Sequence, residues 1–454
     1  MKRLLKSVLP AGLLDLYHLV LARAAALFYR HPSEEMTVIG VTGTNGKSTV
    51  VNMIAAVLEA DGHTVGFITT ANIRIGDQTY LNDMKMTMPG RFTLQRLLRR
   101  MADAGCTHAI VETSSEGIKQ HRHVGINYDV AVFTNLTPEH IESHGSFDAY
   151  RQAKGRLFAG LTAGRRKVRD GAIQDKISVV NLGDGHAGYF LGFPADRKYG
   201  YHMDRTGAGG EGAAIAAGDW PIEEVVAREA RLTAAGSEFT VRDTGFSLRL
   251  PGAFNVENAL AAVAVGTALG TELPVISRAL ADLESVPGRL ETVDEGQPFR
   301  VVVDYAPEPE SFRRLYDVVS MMEKGRVIHV FGSCGGGRDR ARRPILGSIA
   351  GRLADIVIIT DEDPYDDDPL EIMRQVAAGA VEAGKREGQD LHIVPDRGEA
   401  IDRAVALARE GDLVLITGKG AEQAICVAGG RKIPWDDRRR VRRALRERSG
   451  QQKT

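Results

Sequence analysis

The segment Gly43-Thr44-Asn45-Gly46-Lys47-Ser48-Thr49 limits what this chain can become more than any other. It follows a β-branched run, Thr37–Val41, and leads into an apolar stretch of helical period that runs through Leu58. A strand that turns through glycines into a helix aims backbone N–H groups and the positive end of the helix dipole at one point, which suits a phosphate. There Lys47 can reach β- and γ-phosphates, and the Ser48 hydroxyl can ligate Mg2+. The strict phosphate-loop pattern has glycine at position 41, where this chain has Val41. The strand–loop–helix context therefore carries the reading, and an ordinary glycine-rich turn is its competitor. On the loop alone, ATP or GTP, and kinase, GTPase or ligase chemistry, all stay open.

The rest of the chain repeats the alternation of strand and helix. Apolar strands are expected at Thr107–Glu112, Asp129–Phe133 and Ile177–Asn181, with helices between them. Such alternation predicts an α/β fold with a doubly wound, mostly parallel sheet. Residues 196–250 are glycine-rich and then alternate in polarity, as at Glu238–Val241 and Phe246–Leu250, which reads as antiparallel hairpins in a β insertion or flank. Helices are expected over Asn255–Leu269 and Pro274–Leu283. Pro287-Gly288 then punctuates the chain. A second αβ series follows, with strands near 300–304, 326–331, 355–360, 391–394 and 412–416. The expected units are a helix within residues 1–36, a central unit over 37–287 and a C-terminal unit over 288–454. Length alone, 454 residues at about 100–200 per domain, allows two to four domains, and the chain reads as two large αβ domains plus one helix.

Composition excludes several classes. Hydrophobic residues make up 43% and charged residues 26%, so the chain can bury cores and is not a disordered one. Lys plus Arg number 58 against 59 Asp plus Glu, which argues against a general nucleic-acid or membrane polyelectrolyte. The 3 cysteines are far apart and form no disulfide framework or metal pair, so a reducing cytoplasm is expected. Residues 4–30 are apolar but interrupted by Asp15, His18 and Arg23, too broken for a bilayer span. Leu13, Leu16, Tyr17, Val20 and Leu21 recur at helical spacing and predict an amphipathic helix packed on its own domain, contact with a membrane or partner being the alternative. Residues 438–448 carry seven arginines and read as a solvated terminal helix, with an RNA or anionic-lipid patch as the alternative.

Two further segments narrow the chemistry. Glu112-Thr113-Ser114-Ser115 ends one apolar strand, and Phe133 through His140 ends the next. Ligands of doubly wound sheets sit at such strand ends. A carboxylate and an imidazole there, Glu112 and His140, can hold a divalent ion beside a triphosphate.

Taken in order, GTNGKS, ETSS, FTNLTPEHIESHG, AYRQAKGRLF, FNVENALAA, VPGRLE, VVDYAPEP, FGSCGGGRDRARRP, DRGEAI and ITGKGAE resemble the Mur ligase family over residues 37–440. The muramyl-tripeptide synthetase branch is the most similar in pattern. The resemblance implies a second, Rossmann-like α/β domain at the C-terminus and an ATP-dependent ligase of peptidoglycan synthesis. Such a ligase activates a peptide carboxylate as an acyl phosphate and adds an amine to it. The implied ligands are ATP, Mg2+, UDP-MurNAc-L-Ala-D-Glu and an amino acid, with no nucleic acid, and the protein is expected to be a monomer. The resemblance assigns the triphosphate to Gly43, Thr44, Asn45, Gly46, Lys47, Ser48 and Thr49. It assigns metal ligation to Ser48, Glu112, His140 and Lys154, the last as a carbamate. Asn255, Asn258, Arg289 and Asp304 match nucleotide-contacting positions. Thr87, Ser114, Ser115 and Arg122 match the acyl-substrate grip, while Arg338, Asp363 and Glu422 match positions near the incoming amino acid.

Several positions depart from the family pattern. Met88 replaces a threonine, and Glu116, Pro307 and Ala421 stand where the family has histidines. The loop that carries an arginine for meso-diaminopimelate reads Glu362-Asp363-Pro364-Tyr365 here, followed by Asp366, Asp367 and Asp368. Without that arginine, acids suit a side-chain ammonium, as in lysine or ornithine; solvated loop acids are the alternative. Only 36 residues precede Thr37, too few for the UDP-binding domain of the family. The UDP end is therefore expected to rest on Thr87, Ser115 and Arg122, or on a partner at the N-terminal helix. Rival readings are a folylpolyglutamate-synthase-like or cyanophycin-type ligase, a P-loop kinase or nucleotide switch, and a non-catalytic homologue.

Overall fold

A computed structural model describes residues 11–139, 141–169, 171–204 and 221–451. The phosphate-loop strand is β1 (Thr37–Thr42). After it come β2 (Val65–Ile68), β3 (Asn72–Ile75), β4 (Gln78–Leu81), β5 (His108–Glu112) and β6 (Val130–Phe133). A small ribbon, β7 (Val168–Arg169) and β8 (Ala172–Ile173), precedes β9 (Ile177–Asn181), β10 (Arg197–Met203), β11 (Glu223–Thr233), β12 (Gly236–Val241) and β13 (Thr244–Leu248). All but the ribbon form one 11-stranded sheet in the order β13-β12-β11-β10-β9-β6-β1-β5-β2-β3-β4. β1 is central, parallel to both β5 and β6, and every one of its residues is buried. Burial on both faces is why it reads as a continuous apolar run and not as an alternating one. Its side chains divide between the two layers: Val38 joins one core and Ile39 the other.

The second sheet follows from β14 (Glu291–Thr292), β15 (Arg300–Val303), β16 (Val327–Phe331), β17 (Ile356–Ile359), β18 (Leu391–Ile393) and β19 (Leu413–Ile416). Its order is β14-β15-β19-β16-β17-β18, antiparallel only at the β14–β15 edge. The architecture is thus α/β: a large, mostly parallel sheet wound on both faces with an antiparallel flank at each edge, β2–β4 and β11–β13, and a second, mostly parallel sheet. The cores on this second sheet draw on residues from Leu290 onwards, and those on the first on residues up to Leu283.

Three expectations change. The stretch 196–250 is not all hairpin: β9, β10 and β11 pair in parallel, and only β11–β13 are antiparallel. The N-terminal helix, Ala11–Phe28, does not pack through its large residues. Leu13, Leu16, Tyr17 and Val20 are exposed, and Ala22, Ala25 and Ala26 are the buried ones. Small side chains allow close approach to the helix Arg91–Asp103 and to Gly125, where an added Cβ would lie 2.6 Å from Ala26. The arginine-rich helix, Asp437–Gln451, is docked rather than solvated. Val441, Ala444 and Leu445 are buried, Arg438 pairs with Asp436 and Glu291, and Arg446 pairs with Glu295. A ribbon of β20 (Ala424–Val427) and β21 (Arg431–Pro434), unforeseen in the sequence, lies on the loop after β17, where Cys426 N–H donates to Asp363 Oδ1 (2.7 Å). Among the described residues, no helix is long and apolar enough to cross a membrane.

Candidate active site

The loop after β1 opens the helix Lys47–Ala60, with Gly46 as its N-cap at φ +82°. That left-handed backbone suits glycine. Space is equally restrictive, since a Cβ on Gly46 would lie 2.2 Å from Asn258 Oδ1 on the helix Ala253–Leu269. A Gly46→Ala variant is expected to bind ADP about tenfold more weakly by calorimetry, from strain of about 1–3 kcal/mol. Unchanged affinity would show that the loop relaxes freely.

The neighbouring strand ends brace this loop. Asn45 N–H donates to Asn135 Oδ1 (2.8 Å), and Thr134 Oγ1 donates to the Asn45 carbonyl (2.7 Å). Thr44 Oγ1 lies 3.0 Å from the Tyr150 hydroxyl. Lys47 Nζ donates to the Thr44 carbonyl at 2.7 Å, folding back over the loop. Ser48 Oγ donates to Glu112 Oε2 (2.7 Å), which also accepts from Thr70 N (2.8 Å). The hydroxyl and the carboxylate thus converge as hard oxygen donors, which suits Mg2+. His140 lies outside the described residues. No group of three or more His, Cys, Asp or Glu that could hold a metal occurs among the described ones.

Lys154, on the helix Phe147–Ala159, is 1% exposed. Its Nζ donates to the Gly43 carbonyl (2.7 Å) and lies 4.3 Å from the centre of the Tyr150 ring. Burial first, and then the charge of Lys47, hold its pKa well below the ordinary lysine value.

The second sheet supplies the opposite wall of the same cleft, a cavity of about 390 Å³. Arg289 Nη2 reaches Ser48 Oγ (3.4 Å) and stacks over Tyr305 at 4.4 Å. Asp304 accepts from the N–H groups of Leu290 (2.7 Å) and Ala306 (2.8 Å), and burial raises its pKa despite Arg289. Asp363 and Glu422 surround Lys419 Nζ, which is 3.0 Å from both Asp363 oxygens and 2.7 Å from Glu422 Oε2. Arg338 lines the same region, near Tyr305 and Glu139.

The described residues matched to family site positions all line this one cleft: 43–49, Thr87, Glu112, Ser114, Ser115, Arg122, Lys154, Asn255, Asn258, Arg289, Asp304, Arg338, Asp363 and Glu422. Their surroundings account for several departures from the family pattern. Met88 is a core residue whose sulfur lies against Gly117, where a Cβ would be 2.3 Å away. Its carbonyl accepts from Arg122. Glu116 pairs with His144 (3.2 Å), which with a hydrogen bond from Ser143 holds its carboxyl at about 2. Ser114 Oγ caps its short helix by accepting from Gly117 N, and Ser115 Oγ meets His144 at 3.2 Å.

One expectation about the acids is corrected. Asp366 accepts from Gly429 N, Asp367 lies 3.6 Å from Arg343, and Asp368 caps the helix Pro369–Glu382. These three hold the loop, and of the run only Glu362 and Asp363 face the cleft. The sequence reading missed Thr70, Asn135, Tyr150, Lys85 and Lys419. Tyr150 stands four residues before Lys154, one helical turn away on the same face, which was a readable signal. Lys85 carried none.

Known proteins resemble the chain throughout. Two family profiles match, the Mur ligase middle domain over residues 41–266 and the Mur ligase glutamate ligase domain over 288–420. A UDP-N-acetylmuramyl-tripeptide synthetase of Roseiflexus sp. (strain RS-1) is 42% identical over 443 residues, covering 94% of this chain and 82% of the relative. A UDP-N-acetylmuramoyl-L-alanyl-D-glutamate--2,6-diaminopimelate ligase of Geobacillus kaustophilus (strain HTA426) is 39% identical with the same coverage. A solved structure of a ligase of the latter name superposes with a TM-score of 0.55 at 28% identity, over 91% of this chain and 79% of that one. Mycobacterium tuberculosis folylpolyglutamate synthase gives 0.65 at 16% identity, over 90% and 97%, a likeness of fold alone.

Proposed function

The chain belongs to the Mur ligase family, and from that membership we infer an ATP-dependent, ADP-forming ligase that adds a diamino acid to UDP-MurNAc-L-Ala-D-Glu. The observation that carries the reading is the single cleft in which the phosphate loop of one sheet faces the Asp363–Lys419–Glu422 cluster of the other.

In the first step a substrate carboxylate oxygen attacks the γ-phosphorus of ATP, and ADP leaves. In the second the amine nitrogen attacks the acyl carbon, phosphate leaves, and one proton is lost from nitrogen. Backbone N–H groups of 46–48 and the helix end hold the phosphates, while those of Thr44 and Asn45 are spent on Asn135. Lys47 swings from the Thr44 carbonyl to the β- and γ-oxygens, where charge moves during transfer. Ser48 and Glu112 are the residues that would hold Mg2+, with His140 and a carbamate on Lys154 completing the set, and the ion would neutralise phosphate charge there. Lys154 suits carbamylation because its amine is buried beside the Gly43 carbonyl and burial lowers its pKa, which favours the neutral form. A neutral amine adds CO2 to give a carbamate and releases one proton. Arg289 and Asp304 shape the nucleotide side, with Asn255 and Asn258 behind the loop. Thr87, Ser114, Ser115 and Arg122 line the acyl-substrate side; Arg338, Asp363 and Glu422 line the amino-acid side. The units 37–287 and 288–454 are the two jaws of this cleft.

Phosphate release with UDP-MurNAc-L-Ala-D-Glu tests the reading. Turnover should need both this acceptor and a diamino acid, and lysine or ornithine should exceed meso-diaminopimelate because Tyr365 stands where an arginine would hold the distal carboxylate. Faster turnover with diaminopimelate would overturn the preference. Release without any amino acid would overturn the ligase.

A further inference from the structure

We propose that Lys85 competes with the incoming amino acid for its subsite: its ammonium occupies the place of the substrate's side-chain cation and is exchanged for that cation on binding. The inference rests on the ligase reading and adds the residue that holds the amino-acid subsite before the substrate arrives. Lys85 belongs to the loop between β4 and the helix Arg91–Asp103, on the first sheet. It crosses the cleft to two carboxylates of the second sheet, 2.5 Å from Asp363 Oδ2 and in contact with Glu422 Oε2, and its side chain is 5% exposed. Burial opposes its charge, but Glu422 and Asp363 outweigh burial and raise its pKa.

Of the two lysines on these carboxylates, Lys85 is the exchangeable one. Lys419 is fully buried and sits three residues from Glu422 in the same segment. Lys85 comes from an opposing loop and has φ +60°, a left-handed backbone rare for a side chain of this size. Such strain persists only while the surroundings hold it, here the ion pairs and the Lys432 hydrogen bond to the Met84 carbonyl (2.9 Å).

Charge then sets the specificity. With Lys85 in place, two cations face two carboxylates. With it withdrawn, one negative charge is uncompensated, and an incoming ammonium restores the balance. A neutral side chain would leave a buried carboxylate unpaired, and an acidic one would add a like charge. The same loop carries Thr87, whose hydroxyl is 2.8 Å from that of Thr70, so the exchange also reaches the acyl-substrate side.

The test compares the full-length wild type, Lys85→Met and Lys85→Arg, with L-lysine and L-ornithine binding measured by calorimetry in the presence of ADP. Removing the competing cation should tighten binding about fivefold or more, because the wild type binds only from the fraction with the subsite open. KM for lysine should fall by a larger factor than any change in kcat. Lys85→Arg should restore wild-type values, and L-glutamate should bind none of the three. Unchanged, weaker or undetectable lysine binding by Lys85→Met would overturn the proposal. Lys85→Gln, judged by the same criteria, replaces Lys85→Met if that variant unfolds. Failure of the ligase reading looks different: the wild type would release no phosphate with the muramyl dipeptide and any amino acid, while the calorimetric comparison stays readable.

Discussion

Replacing Lys47 by alanine is expected to cut ATP turnover about 1000-fold or more, equivalent to about 4 kcal/mol of transition-state stabilisation. The fold should survive. Lys47 is half-buried, and its ammonium donates to the Thr44 carbonyl of its own loop, so the truncation leaves no buried ion unpaired. Backbone N–H groups and the helix end remain, and they keep part of the ground-state affinity for nucleotide. Loss in kcat should therefore exceed loss in ADP binding, which separates a transition-state contact from a uniform one. Phosphate release and calorimetry, with thermal unfolding as the control, read the three quantities. A variant with near-normal kcat would remove Lys47 from the chemistry.

Lys154→Ala should lower kcat about 100-fold or more, with partial recovery on adding acetate or formate. The side chain is fully buried beside Gly43 and Tyr150, and its alanine replacement opens a space that a short carboxylate can enter. Rescue is the decisive part, because a lysine serving only as a cation would not be replaced by an anion. The wild type should also show a carbamate carbon signal after exchange into 13C-labelled bicarbonate. Loss of activity with neither rescue nor that signal would leave Lys154 an unmodified amine bracing the Gly43 carbonyl. Normal turnover would remove it from the mechanism altogether.

Much of this site was legible because phosphate recognition is local. The glycine spacing, Lys47 and Ser48 lie within seven residues, and a strand before them with a helix after them suffices to predict their geometry. Glu112 was legible for a related reason: a residue that ends an apolar strand of a parallel sheet projects at the ligand edge wherever that strand sits. The N-terminal helix misled because spacing tells which residues share a face but not which face is covered. Ala22, Ala25 and Ala26 won that contest through close approach, and the larger stripe stayed outside, with Leu27 and Phe28 at 69% and 70% exposure. Asp366, Asp367 and Asp368 misled because a carboxylate that caps a loop has the same letters as one that binds a substrate.

By itself the sequence determined the class of fold, the phosphate loop and the strand-end acid, since each depends on neighbours a few residues away. Only the tertiary structure decided what meets across the cleft. Lys85 and Glu422 stand 337 positions apart, and Arg289 and Ser48 241. Contacts at such separations leave no period or spacing in the chain. They exist because two separately built sheets close on one another, and the charge on each wall acquires its meaning from the wall it faces.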